Sequence, residues 1–140
     1  MVAFPTEAWF QDLVTRINAS DAYREAAADW EGDIAFLVEA EPDRGLRADV
    51  WGLLDLWHGA CRGGGVIHAD RGREAAYILR APYSRWKEVV TGELDPIKAM
   101  MQGKLKVTKG NMPTLVKYVH SNRELVESAT HVDTQFRDEK

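Results

Sequence analysis

The chain has a single cysteine, Cys61, so it cannot form an internal disulfide. That economy suits a reducing compartment. No stretch approaches the roughly 20 consecutive apolar residues that a membrane-spanning helix needs. The start, Met1-Val2-Ala3-Phe4-Pro5, lacks the basic region and apolar run of a signal peptide. The end, Arg137-Asp138-Glu139-Lys140, is neither a peroxisomal nor a retention address. A cytoplasmic protein is therefore expected. Positive charge is scarce: 18 Lys and Arg stand against 22 Asp and Glu, a net charge of -4. General nucleic-acid binding needs a broad basic surface and is disfavoured. Internal repeats, linkers and low-complexity segments are also missing. The 140 residues fit one domain, expected over 1–130, with 131–140 as a loosely held tail.

One absence is local. Between Pro96 and Arg123 there is no acidic residue, while Lys98, Lys104, Lys106, Lys109, Lys117 and Arg123 supply six basic ones. The same stretch is rich in Leu, Ile, Val and Met. An apolar lining edged with positive charge suggests an amphipathic anionic ligand.

The rest of the chain reads as alternating periods. Thr6 is a plausible helix cap with Glu7 in the first turn, and Phe10, Leu13, Val14 and Ile17 form one apolar helix face. Tyr23, Ala26, Ala27 and Trp30 repeat that spacing in a second helix over about 21–29. From Ile34 the period becomes two, through Phe36, Val38 and Ala40. A turn at 42–45 leads to a long strand over about 47–61 that is apolar on both faces, as in a central or doubly covered strand. Arg62-Gly63-Gly64-Gly65 is expected to be a hairpin turn into Val66–Ala69, and 70–73 a turn into a strand over 75–80. Ser84 then caps a helix carrying Trp86, Val89 and Val90. Asp95 caps a short helix with Pro96 at its first position, stopped by Gly103. Leu105 and Val107 mark an amphipathic strand, Asn111 caps a helix, and Ser121–Glu124 fits a capping box for a last one. Strands in a meander with helices before and after predict an α+β fold, helices packed on one sheet face.

Bond-breaking chemistry has little support. Asp55, His58 and Cys61 do not share one strand face, and a lone cysteine is usually a small buried hydrophobe. His68 and Asp70 are too few for a metal site. The triple glycine lacks the Lys-Ser/Thr and helix of a phosphate loop. No metal, cofactor or catalytic residue is expected. A small thiol- or metal-dependent enzyme using Cys61 and His58 stays as an alternative. So does a solid-cored interaction module, with Trp51 and Trp57 as anchors of a homodimer or other dimer.

The segment Gly92-Glu93-Leu94-Asp95-Pro96, followed by Ala99-Met100-Met101-Gln102-Gly103-Lys104-Leu105-Lys106-Val107, resembles the motif of the sterol carrier protein 2 (SCP2) sterol-transfer family. Tyr23-Arg24, Asp29-Trp30 and Gly32 before the first strand are similar too, as is the element order from about Pro5 to Ala129. The resemblance implies a five-stranded, largely antiparallel or mixed sheet with helices on one face. It implies an apolar cavity between them for lipids such as fatty acids, acyl-CoA or sterols, and a stand-alone carrier without fixed catalytic residues. The lining candidates are Met100 and Met101, with Trp86, Leu105, Val107, Leu115 and Val119, and Tyr77 and Leu79 from the sheet. Lys104, Lys106, Lys109 and Lys117 are candidates for contact with a headgroup or an anionic membrane surface.

Overall fold

The computed structural model describes residues 1–139. It is α+β. Strand β1 (Val2–Phe4) precedes helices α1 (Glu7–Asn18) and α2 (Asp21–Ala26), strand β2 (Glu31–Glu39), a 3-10 turn at Pro42–Arg44, and strands β3 (Val50–Trp57) and β4 (Ala60–Ile67). Helix α3 (Ala69–Gly72), strand β5 (Tyr77–Pro82), helices α4 (Tyr83–Val90) and α5 (Pro96–Met101) and strand β6 (Lys106–Lys109) follow. Helices α6 (Met112–Lys117) and α7 (Val119–Thr130) and strand β7 (Thr134–Phe136) end the chain. The main sheet has five strands in the order β4-β3-β2-β5-β6. Only the central β2–β5 pair is parallel, so the sheet is mixed.

Local chemistry accounts for most of these starts. Thr6 Oγ1 accepts the Trp9 N–H at 3.3 Å at the head of α1, and Asp95 Oδ2 accepts the Lys98 N–H at 3.0 Å at the head of α5. Asn111 Oδ1 accepts from Thr114 N at 3.2 Å and starts α6. The sheet's two faces follow the strand period. Ile34, Phe36 and Val38 point to the helices, and Ala35 points away into a smaller cluster with Leu53, Ala75 and Ile78.

Several expectations need correction. The hairpin turn is His58-Gly59, where φ is 48° and 83°, and Trp57 pairs with Ala60 across it. A two-residue turn of that hand needs positive φ at both central positions. The three glycines instead lie inside β4, because α1 packs directly on it: a Cβ on Gly64 would meet Leu53 O at 2.5 Å and Val14 Cγ2 at 3.2 Å. Beyond Ile67 the chain leaves the sheet as α3, and Gly72 rests on Trp51, where a Cβ would stand 2.3 Å from Trp51 Cε3. Trp51 is therefore covered, whereas Trp57 keeps 37% of its surface exposed under the guanidinium of Arg62.

Ser84 does not cap α4; its N–H is accepted by Glu41 Oε1 at 2.6 Å, so the cap comes from a distant loop. Burial pushes the Glu41 carboxyl up, but the hydrogen bonds from Ser84 outweigh it and hold it below the ordinary range. Nor do Ser121 and Asn122 start a helix. They sit within the first turn of α7 and turn back on α6: Ser121 Oγ donates to Tyr118 O at 2.9 Å and Asn122 Nδ2 to Leu115 O at 2.9 Å. They satisfy carbonyls that the end of a helix leaves without partners.

The tail is not loose over the described residues. β7 pairs in parallel with β1, Val132 and Phe136 are buried, and the Phe136 ring lies 6.0 Å from that of Phe4. Asp138 then accepts from Lys87 Nζ at 3.0 Å and Arg44 Nη1 at 3.1 Å.

Candidate functional site

Between the sheet and its helix layer lies a hollow. β2 lines it with Ile34, Phe36 and Val38, β3 with Leu54 and β5 with Leu79. Phe4 and the α1 residues Trp9, Phe10 and Leu13 close one side. The other walls are Trp86, Val89 and Val90 of α4, Pro96 and Met100 of α5, Leu105, and Asn122, Leu125, Val126 and Ala129 of α7. All the space between these atoms, mouth included, is about 680 Å³; the room for the centre of a water-sized sphere is about 80 Å³. One water needs roughly 10–15 Å³ on the second measure, so the hollow is real but narrow.

Its location shows in one residue. Phe36 belongs to the central strand and to the face under the helices, yet it remains half-buried. Trp86 touches it edge-on at 5.6 Å, and Gly52 and Leu79 flank it in the sheet. A phenylalanine there is normally sealed; this one faces open space.

Among the described residues no charged side chain lines the hollow. The two indole N–H groups in the wall are engaged elsewhere: Trp9 Nε1 donates to Thr134 Oγ1 and Trp86 Nε1 to Leu37 O, both at 2.9 Å. Asn122 is the one amide in the lining, and it is 8% exposed.

Of the nine lining candidates, Leu79, Trp86, Met100 and Leu105 border the hollow. Tyr77 packs at 5.0 Å on Trp30, and Leu115 is fully buried in the core away from the void. Val107 and Val119 pack on the core without reaching the lining. Met101 is 69% exposed on the outer side of α5. Lys104, Lys106, Lys109 and Lys117 are all on the surface; Lys109 Nζ donates to Arg73 O at 3.0 Å, and Lys117 Nζ lies 6.0 Å from the Tyr118 ring centre. The walls from α1 and α7 were not among the candidates. Their apolar spacing is visible in the sequence, but nothing in it says that these faces meet a void rather than a packed neighbour.

The thiol alternative finds no geometry. Cys61 Sγ donates to Gly63 O at 3.2 Å, and burial pushes the thiol above its ordinary value. His58 Nε2 is engaged with Glu31 Oε2 at 2.5 Å on the exposed turn. Among the described residues no group of three His, Cys, Asp or Glu side chains is placed to hold a metal ion. Among them, too, no helix is long and apolar enough to cross a membrane.

The pattern of the SCP-2 sterol transfer family matches residues 10–120. A crystal structure of sterol carrier protein 2 is 41% identical, covers 91% of this chain and 97% of that one, and superposes with a TM-score of 0.83. The solution structure of a conserved hypothetical protein from Thermus thermophilus is 40% identical, covers 93% and 90%, and gives 0.83. A sterol carrier protein 2 from Aedes aegypti, in complex with palmitate, shares the fold at 19% identity, with coverage of 81% and 92% and a TM-score of 0.50. No curated protein sequence matches the chain. With its sheet order, its helix-covered hollow and a family match over most of its length, the chain belongs to the SCP-2 sterol transfer family.

Proposed function

We propose that this protein is a non-catalytic carrier that holds one long-chain lipid, with its alkyl chain in the hollow beneath α4, α5 and α7. The observation that carries the reading is the half-buried Phe36 at the centre of the sheet, facing a largely apolar void. Each methylene taken from water contributes about 0.8 kcal/mol. A chain of ~15 methylenes gains roughly 12 kcal/mol, and association and ordering cost roughly 4–15 kcal/mol. The balance is modest, as a carrier that must release its cargo requires.

The hollow as it stands is too narrow for such a chain, so entry pushes the walls apart. The short helix α5 is the wall that yields. It has six residues, Gly103 follows closely, and Met100 adapts to irregular shapes. The palmitate held by the Aedes aegypti neighbour supports an extended acyl chain as the occupant. Met101 is 69% exposed, with the exposed Lys98 and Lys104 three residues to either side of it in the chain. An apolar tip flanked by cations suits a transient docking on an anionic membrane surface during loading.

Displacement of a fluorescent long-chain fatty acid tests the cavity. Val126→Trp fills it from α7 and abolishes displacement while thermal unfolding stays cooperative; Trp57→Ala, on the far face, leaves affinity unchanged. Undiminished binding in a folded Val126→Trp protein refutes the site. Flotation with vesicles of phosphatidylcholine, with and without phosphatidylserine, tests the docking: Met101→Asp weakens binding to the anionic vesicles, and equal binding removes the idea.

A further inference from the structure

We infer that α1 closes the β4 edge of the sheet in place of a sixth strand, and that the edge beneath it is a latent contact surface for a second copy of this chain. β4 ends the sheet, with β3 as its only strand neighbour. The backbone groups on its other side need partners or water. Four of them find partners in side chains of α1. Glu7 Oε1 accepts the Val66 N–H at 2.7 Å, and Gln11 Nε2 donates to Gly64 O at 2.6 Å. Asn18 serves one residue twice: its Oδ1 accepts the Cys61 N–H and its Nδ2 donates to Cys61 O, each at 2.8 Å. An antiparallel strand makes that same pair of bonds to its neighbour. Gln11 Nε2 also donates to Glu7 Oε2 at 2.7 Å, which ties the first two contacts together.

The sequence is arranged for this closure on both sides. Glu7, Gln11, Val14 and Asn18 are spaced by four, three and four residues, one stripe along the helix. The glycines of β4 let that stripe come close. A Cβ on Gly65 would stand 2.5 Å from Glu7 Oε1, and one on Gly64 would press on Val14.

The other edge of the sheet shows what β4 lacks. β6 is four residues long and carries the exposed Lys106 and Lys109. Short length and lysines are common guards of an open edge. β4 has eight residues and Arg62 as its one charged side chain. Its glycine run leaves strand register weakly specified, which favours alternative pairings. The guard of this edge is α1. With the helix contacts removed, the strand that fits the edge is another β4. An antiparallel pair centred on Gly64 sets each Arg62 opposite a Val66, so the two arginines do not meet.

Glu7, Gln11 and Asn18 are exposed, so replacing them empties no core. Hydrogen–deuterium exchange on dilute protein reads the closure, and sedimentation velocity reads the association. The wild-type chain is a monomer with protected Val66 and Cys61 amides. Glu7→Ala speeds exchange at Val66 about tenfold, and Asn18→Ala does so at Cys61, as the loss of one hydrogen bond predicts. The amides of β2 change less. Glu7→Gln, which keeps an acceptor, leaves Val66 protected. The Glu7→Ala/Asn18→Ala chain forms a dimer whose fraction rises with concentration, and the single variants do so at higher concentration. Adding Val66→Lys disperses the dimer, since a lysine on an edge strand opposes pairing. Unchanged exchange in both single variants overturns the closure by α1. So does a wild-type dimer that Val66→Lys disperses, because the edge is then already open. Variants that stay monomeric, or a dimer that survives Val66→Lys, overturn the latent contact.

Discussion

Gly52→Ala probes how the helix layer rests on the sheet. Gly52 lies in β3 beside Phe36 on one side and Val66 on the other, and the ring of Phe10 from α1 sits against it. An added Cβ would stand 2.1 Å from Phe10 Cζ and 2.6 and 2.7 Å from its Cε atoms. Carbon atoms rest at ~3.5–4.0 Å, so the ring must withdraw by roughly 1.5 Å. The alanine itself suits the position, since Gly52 is not among the glycines with positive φ. In a strand the change would otherwise stabilise by about 0.5–1 kcal/mol. Phe10 has little freedom to turn aside, because Trp9 meets it edge-on at 5.1 Å; the space available is the hollow it lines. Overpacking of this kind costs about 1–3 kcal/mol, a fall of several degrees in Tm. Lipid capacity falls with it. Urea unfolding and lipid titration are run on Gly52→Ala, Phe10→Leu and the double variant. The smaller side chain should relieve the clash, giving a favourable coupling of about 1 kcal/mol or more. Wild-type stability in Gly52→Ala, or strict additivity in the cycle, refutes this account of the interface.

The tail should behave as part of the domain. Phe136→Ala is expected to lower stability by about 3 kcal/mol in urea unfolding, because the ring is buried against Phe4; an unchanged midpoint would mean the tail is dispensable. Burial pushes the Asp138 carboxyl up, but hydrogen bonds from Lys87 and Arg44 prevail and hold it below the ordinary range. Its folded pKa is thus below its unfolded one, so the stabilisation is present above about pH 4 and is lost as the pH falls through the depressed value. Asp138→Asn should cost about 1 kcal/mol at pH 7 and progressively less as the pH drops below about 4, and a pH-independent difference counts against the clamp. Cys61, with its thiol pushed up by burial and its Sγ bonded to Gly63 O, should react slowly with a disulfide reagent at about pH 8 and rapidly in urea. Rapid reaction of the native chain would reopen the thiol-enzyme reading.

The kind of each major element and the class of fold are legible in the sequence alone. Period-two runs such as Ile34–Val38 and the helical spacing of Phe10, Leu13 and Ile17 name elements because they record which face is turned inward. The caps at Thr6, Asp95 and Asn111 were legible because a cap is a contact three residues away. The Gly92–Val107 motif carried the family for the same reason: it is local. Contacts between distant segments settled the rest. Three glycines in a row look like a turn until α1 is laid across them, and only His58-Gly59 has the backbone the turn needs. The tail looks loose until β1 offers it a strand partner and Lys87 and Arg44 take its carboxylate. Leu79 and Leu115 are equally apolar in the sequence, yet one faces a void and the other solid core. Periodicity states that a side chain points inward; whether anything fills the space opposite depends on the sizes of residues dozens of positions away. Asn122 shows the same limit, since its place in the sequence put it in a capping box and its place in the fold sets it on the wall of the hollow, donating to Leu115 O.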